Sequence, residues 1–372
     1  MNARKLHEFE RDYHDFYVPT SAIRIGGRDL VRDLFLTVTS TEVELKLNAA
    51  GRFSFVVASA FDWEEREFLG RAALERIDLL ALFAFGAEVE VLIGYDEPAR
   101  LTPLITGIVT EIGTSFAESG TPALTVSGYD AIYPLGIGKN SGQWEKKKPS
   151  DAVRAVAGRN SLPILVSVDD DVLPRIDQSK ESDRDFIDRM AQLAKAVFYM
   201  RDGELCFVPR RKAGGAVAEL AWGEGLSSFS PSANLARQIA AVEVHGWSAA
   251  EGKHVVGKAP RDSAQGAEAG KKSGSQRIGE ALAKSPVLSI SAPVHSQQEA
   301  DERAQAILEE RAQQFVTGDG ECVGLPDLLP DTKVTIAGVG RAFNKTYYVT
   351  ETTHSLDGKG YRTRFKVEEP SI

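Results

Sequence analysis

Apolar and polar positions alternate with a period of two through much of residues 20–130, and again through 318–367. Ile23 and Ile25 lead into Gly26-Gly27, a hairpin signal. Leu34, Leu36 and Val38 alternate next, then Val43, Leu45 and Leu47; after a turn at 48–51 come Phe53, Phe55 and Val57. Side chains two apart share one face of a strand, so each set is predicted to face a common core. Residues 87–93, 104–112 and 123–129 read as further strands, at the spacing of a small barrel or sandwich. Asp62 with Glu65 three positions on fits a capping pattern and predicts a short helical piece there. Residues 1–18 are polar and predict a lead-in that is loosely held or docked on a neighbour.

The period changes near Gly136. Pro149-Ser150 opens a helix with Ala152, Val153, Val156 and Ala157 on its inner face, ending at Gly158. A strand is predicted over 164–168, and a second helix from Ser182, where Phe186, Ile187, Met190, Leu193, Ala194 and Val197 form one stripe. Asp202-Gly203 between apolar runs is a two-residue hairpin. Strand character returns over 220–247. Residues 248–285 are rich in Gly, Ala, Ser and Lys and predict a flexible insertion, since such a segment buries too little apolar surface to offset its ordering entropy. A strand over 287–290 and a helix from Ser296 to about Phe315, with Glu299 completing its capping pattern, lead to the last third. There Val334, Ile336 and Val339, then Tyr347–Val349, then Tyr361, Thr363, Phe365 and Val367 make three strands. Gly338, Gly340, Asn344, Gly358 and Gly360 punctuate them.

Three blocks carry a family resemblance. One is GIVTEI at 107–112 with the turn and LTVSGYD that follow. A second is ESDRDFIDRMA at 181–191 with the 202–205 hairpin and Pro209-Arg210-Arg211. The third is 318–367, with its Pro-rich loop, the VTIAG strand, His354 and the final TRF. Together they resemble the baseplate hub of contractile phage tails, the late control gene D family, related to the hub part of the type VI secretion spike protein VgrG. Asp331 follows Pro330 where that family favours Gly, and Asn344-Lys345 stands where it favours Asn-Gly.

The resemblance implies a mainly β fold with an α/β insertion (α+β): two tube-type β-barrels per chain, forming a pseudo-hexameric ring as a trimer. The expected domains are a first barrel with its lead-in over 1–130, an α/β insertion over 131–215, and a second barrel over 216–372 with a flexible loop at about 248–285. The implied function is that of a structural hub in a contractile injection machine, joining a hexameric tail tube to a trimeric central spike. The expected partners are two further copies of the chain, the spike, the tail-tube protein and baseplate wedge proteins. The spike tip is expected to be a separate protein. Alternatives from other classes are a hydrolase acting on cell wall or peptide, and an adaptor module binding toxin cargo through 248–285.

Composition narrows the chemistry. The chain has 372 residues, enough for two or three domains, with 42% hydrophobic and 26% charged residues, as in ordinary globular proteins. A net charge of −9 argues against a general grip on nucleic-acid phosphates and against attachment to a membrane through a basic surface. No run approaches the roughly 20 apolar residues of a membrane span. The charged N-terminal stretch is unlike a signal peptide, so synthesis and assembly are expected in the cytoplasm, with the protein ending in a tail or injection particle.

Cys206 and Cys322 lie in apolar runs and read as small buried hydrophobes. The motif from Gly136 to Lys139 lacks the further residues of a phosphate loop, and Gly338-Val-Gly340 lacks the third glycine of a dinucleotide site. Asp169–Asp171 reads as a solvated loop, because consecutive extended residues point to opposite sides. The histidines at 7, 14, 245, 254, 295 and 354 have no zinc spacing, and His354 reads as structural or interfacial. No serine sits in a G-x-S-x-G elbow, and nothing marks two carboxylates as a catalytic pair. No catalytic, cofactor-binding or metal residue is therefore assigned, no cofactor is expected, and the protein is read as a non-enzyme.

Overall fold

The computed structural model describes residues 3–72, 75–95, 101–116, 118, 121–210, 214–248, 252–260, 272–282, 286–292, 294 and 296–372. A short helix, α1 (Leu6–Asp12), precedes six long strands. These are β1 (Pro19–Ile25), β2 (Thr37–Lys46), β3 (Arg52–Ala58), β4 (Glu88–Tyr95), β5 (Thr102–Ser115) and β6 (Ala123–Asp130). They run antiparallel in the order β2-β3-β6-β5-β4-β1. The sheet curls until Ser21 Oγ of β1 lies 3.4 Å from Thr41 Oγ1 of β2. Phe53, Phe55, Val57, Val89, Val91 and Val126 fill its interior, as the alternation requires.

An α/β insertion follows: β7 (Asn140–Lys147), α2 (Pro149–Arg159), β8 (Ile164–Val166), β9 (Leu173–Glu181), α3 (Asp183–Leu193), β10 (Ala196–Arg201) and β11 (Glu204–Pro209). Strands β7 and β9 form a two-stranded ribbon, and β8-β11-β10 a three-stranded sheet. Both helices meet the sheet through Val153, Val156, Phe186, Ile187 and Met190. Asp202 and Gly203 both adopt positive φ at the β10–β11 hairpin, as a tight primed turn needs.

The second barrel begins with β12 (Ala218–Trp222) and β13 (Gly225–Ala233). The chain then leaves it for β14 (Ala241–Ser248), β15 (Lys253–Ala259), α4 (Gly274–Ala281), β16 (Val287–Ser291) and α5 (Gln297–Gln313). It returns as β17 (Val316–Val323), β18 (Lys333–Ala337), β19 (Lys345–Asp357) and β20 (Gly360–Glu369). Pairing runs β12-β13-β17-β20-β19-β18 and back to β12, so six strands close on themselves. Closure removes the unpaired edges that open sheets leave exposed. The mainly β architecture with an α/β insertion is therefore the one the sequence implied.

Strand β19 binds the barrels together. Its Glu351–Leu356 stretch pairs with β20 on one side and with Lys46–Thr41 of β2 on the other. One continuous sheet thus runs through both barrels.

Four expectations change. The lead-in is docked on its own chain: Phe9 is 1% exposed in the second barrel's core, while Tyr13 and Phe16 pack against Tyr95 of the first. An amphipathic helix with only one large buried residue gives too weak a periodic signal to read. The alternation at Leu34–Val38 is no strand up to Thr37; Leu34 and Leu36 are core anchors of a turn held by Asp29. Residues 61–72 and 75–78 form a small meander instead of a helical piece, and Asp62 Oδ1 accepts from the Glu64 and Glu65 amides at its turn. The carboxylate that caps a helix caps a turn equally well.

The fourth change concerns residues 248–285. The described part of this segment contains β15 and α4. Val255 and Ala259 alternate into a core with Val242, Val244, Ala300, Ala304 and Leu308, and Ser273 caps α4. The second barrel so carries its own three-stranded sheet, β15-β14-β16, covered by α5. Gly257 lies where any Cβ would strike the Ala300 backbone of α5, so small residues let helix and strand approach. The rest of 248–285 lies outside the described residues.

Candidate functional site

The polar groups that a sequence reader would test for chemistry are consumed by the fold. His354 is fully buried. Its Nδ1 lies 2.8 Å from Tyr361 Oη and 3.2 Å from Thr363 Oγ1, and burial lowers its pKa to about 3. It is a neutral core residue, so of the two roles expected for it the interfacial one is excluded by burial. Asp130 is buried at the end of β6 and accepts from the amides of Gly51, at 2.8 Å, and Ile132, at 2.9 Å. Burial raises its pKa to about 7 against those two stabilising bonds.

Asp170 of the Asp169–Asp171 run is buried, a correction to the solvated-loop expectation. Its carboxylate accepts from both the amide and the hydroxyl of Ser150, capping the start of α2. Asp183 gathers Arg159, Asn140, Asn160 and Gln178. Burial pushes its carboxyl up, but those hydrogen bonds outweigh it and hold the pKa at about 2. Cys206 and Cys322 are both buried thiols inside apolar clusters. His245 and His254 come together across β14 and β15 with ring centroids 5.5 Å apart, a juxtaposition no spacing rule would find. His295 lies outside the described residues. Among the described residues no three His, Cys, Asp or Glu gather as a metal site would need.

What remains is surface. The two ends of the first barrel differ. One end, where β2 stops at Lys46 and β3 starts at Arg52, is covered by the α/β insertion: the Asn48 amide donates to the Phe198 carbonyl, and Asn48 Oδ1 accepts from the Phe198 amide. At the same seam Asp331 accepts from Tyr199 Oη at 2.9 Å and from Tyr348 Oη at 2.8 Å. The opposite end, where β2 starts and β3 stops, carries the meander that begins at Phe61 and a groove of about 280 Å³. Phe35, Ala58–Asp62, Gly70 and Arg76 line it. Phe61 packs edge-on against Trp63, Phe68 and Phe116 at 5.2, 5.2 and 5.4 Å.

Three of the aromatic side chains at this end face solvent: Phe35 is 66% exposed, Trp63 66% and Phe116 62%. Phe35, Ser59 and Arg66 all take positive φ, at 53°, 54° and 58°, where side chains other than glycine's are strained. Sequence reading assigned nothing here. The available signal was a tryptophan and a phenylalanine set among charged turn residues, but their convergence depends on a meander that the sequence presented as a helix.

Comparison with known proteins places this architecture. A family model described as the Alg8 N-terminal domain matches residues 71–358, from the meander through both insertions to the last hairpin. The chain belongs to that family. Curated proteins give no match in sequence. Among solved structures, a 43 kDa tail protein of prophage MuSo2 from Shewanella oneidensis is similar, with a TM-score of 0.71 at 16% identity over 95% of this chain and 98% of that one. A tail protein from Neisseria meningitidis MC58 has a TM-score of 0.70 at 14% identity, covering 95% of this chain and 97% of its own. The E. coli c3393 protein is described as a type VI secretion component similar to the T4 tail proteins gp27 and gp5. It has a TM-score of 0.56 at 11% identity, over 93% of this chain and 76% of that one. At such identities the likeness is one of fold. The fold is that of tail proteins, and it covers the barrels and both insertions.

Proposed function

We propose that this chain is the structural baseplate hub of a contractile tail or injection particle, acting through shape and rigidity, with no bond chemistry. Three copies close a ring. Each copy contributes two barrels, so the ring is threefold by chain and close to sixfold by barrel, and it adapts a hexameric tail tube to a trimeric spike. The observation that carries this reading is the continuous sheet through β19, which fuses two six-stranded barrels into one rigid unit. A fold shared over nearly the whole length of two tail proteins supports it. Cyclic closure of a heterologous contact limits growth to a ring. Baseplate wedge proteins would hold the ring from outside, and assembly would take place in the cytoplasm.

The domain division that goes with this reading is a first barrel to about residue 130, an insertion to about 215, and a second barrel that carries the inner α/β unit of β14–α5. Light scattering of the purified chain, alone and mixed with its spike protein, tests the proposal. A mass of three chains, or a complex of three chains with one trimeric spike, supports it. A chain that stays single both alone and with the spike, and is absent from purified particles, defeats it.

A further inference from the structure

The outer face of the inner α/β unit brings together two imidazoles from neighbouring strands. Val244 of β14 and Val255 of β15 are buried against α5, so the adjacent His245 and His254 turn to the opposite face. The strands pair with His245 opposite Val256 and Trp247 opposite His254. That register sets the two histidines diagonally across one face, with ring centroids 5.5 Å apart.

The face is open in front and held from behind. His254 is exposed, the His245 side chain is 31% exposed, and Trp247 beside them is 60% exposed. On the covered side, Gln297 Nε2 donates to the Val256 carbonyl at 2.8 Å, and the Lys258 amide donates to Asp301 Oδ1 at 2.9 Å. Both bonds tie β15 to α5. The backbone that carries the rings is therefore fixed while the rings themselves reach solvent, as a preorganised ligand pair requires.

The spacing suits a metal ion. An imidazole nitrogen binds zinc at about 2.0–2.1 Å, so two rings that share a tetrahedral ion have centroids on the order of 5 Å apart. A third donor stands beside them. Glu243 precedes His245 by two residues on the same face, and its Oε2 lies 3.7 Å from His245 Nε2. Two donors on one such ion are about 3.4 Å apart. The hydrogen bond from Lys258 Nζ to Glu243 Oε1, at 2.9 Å, holds the Glu243 carboxyl below its ordinary pKa, so the group is ionised. The three donors do not meet at one point as they stand. A change of rotamer at the exposed His254 side chain supplies the remaining movement.

We propose that His245 and His254, completed by Glu243, form a surface site for a divalent transition-metal ion of the zinc, nickel or copper class. Imidazole donors select these ions over calcium and magnesium, which take oxygen donors. The remaining coordination positions are open to water. The proposal stands independently of the hub reading.

The test uses the full chain, purified without a histidine tag, with zinc and copper(II) ions as probes. Titration calorimetry is expected to show one zinc ion bound per chain. His245→Ala and His254→Ala are each expected to weaken zinc binding about tenfold or more, because the second imidazole no longer binds within the same molecule. Glu243→Gln should weaken it by a smaller factor. Melting temperatures without metal should match the wild type, since these side chains reach solvent. Bound copper(II) is expected to quench Trp247 fluorescence and to show two coupled imidazole nitrogens by electron paramagnetic resonance. Trp247→Phe should lose that quenching and keep the binding. Wild-type zinc affinity in both histidine variants, or a copper spectrum without coupled imidazole nitrogen, overturns the site. Failure of the wild-type chain to take up zinc at millimolar concentration overturns it as well.

Discussion

Asp331 shows how a single residue can replace what a family usually supplies by other means. It stands after Pro330 with φ at 65°, in the region where glycine is at ease. Its side chain offsets the strain by accepting from Tyr199 and Tyr348, which belong to the insertion and the second barrel respectively. Replacement by alanine keeps the strain and removes both bonds, so a loss of about 2–4 kcal/mol is expected in chemical denaturation. Asp331→Gly should lie about 1 kcal/mol above the alanine variant, because it regains left-handed freedom. Equal losses in the two variants would show that backbone conformation contributes nothing there.

Two buried titrating groups give opposite pH trends at this same scale. Burial raises Asp130 from its ordinary 3.8 to about 7. Its contribution is therefore complete below pH about 4 and is lost as pH rises through about 7. His354 is lowered from 6.5 to about 3, so its contribution holds above pH about 6.5 and is lost as pH falls through about 3. Between pH about 4 and 6.5 the two slopes oppose each other. Urea midpoints taken across this range should show Asp130→Asn steepening the loss of stability on acidification and His354→Gln flattening it. Unchanged slopes in both variants would mean that other groups govern the acid response.

At the scale of elements, α1 is the least expected part of the molecule. One ring, Phe9, seats it in the second barrel's core, and Tyr13 adds a 2.6 Å hydrogen bond to Asp327. The segment after it passes through His14, Asp15 and Phe16, all at positive φ, before Tyr17 and Val18 emerge into solvent. Phe9→Ala removes the anchor, and a cost of about 3–5 kcal/mol is expected, as for other buried phenylalanines. The first readout is limited proteolysis, with earlier cleavage near Tyr17 than in the wild type. Undiminished protection would mean that Tyr13 and Phe16 suffice to hold the segment. The inner α/β unit makes the same point from the other side. A segment poor in large apolar residues still forms β15, because Gly257 and the alanines of α5 allow backbones to meet closely.

At the scale of the whole molecule, β19 is the common wall of the two barrels, and its partners β2 and β20 lie far apart in the chain. A charge reversal at Glu351, which pairs with Lys46 at 3.5 Å and Lys366 at 2.8 Å, touches both barrels at once. Glu351→Lys is expected to lower stability by about 1–3 kcal/mol, because it places three cations together at a partly buried wall. A single cooperative transition is still expected, since one sheet runs through both barrels. Calorimetry that resolved two transitions in the wild-type chain would show that the barrels unfold as separate units and would weaken the rigid-adaptor reading.

The sequence by itself determined most strands of the two barrels, the hairpin turns at Gly26, Asp202 and the last third, the two insertion helices with the Ser182 cap of the second, and the likeness to tail hub proteins. All of these rest on local physics: a side-chain period of two or 3.6 and turn residues suited to particular φ values. Tertiary structure alone decided that α1 docks inside its own chain, that Asp62 caps a turn in a meander, that Asp170 is buried, and that Trp63 and Phe116 converge on an open barrel end. Each depends on which distant segment packs alongside: the second barrel's core for Phe9, the start of α2 for Asp170, and Phe61 and Phe68 of the meander for Phe116. A local pattern offers a side chain to one face, and the partner that occupies that face is fixed only when strands far apart in the chain pair.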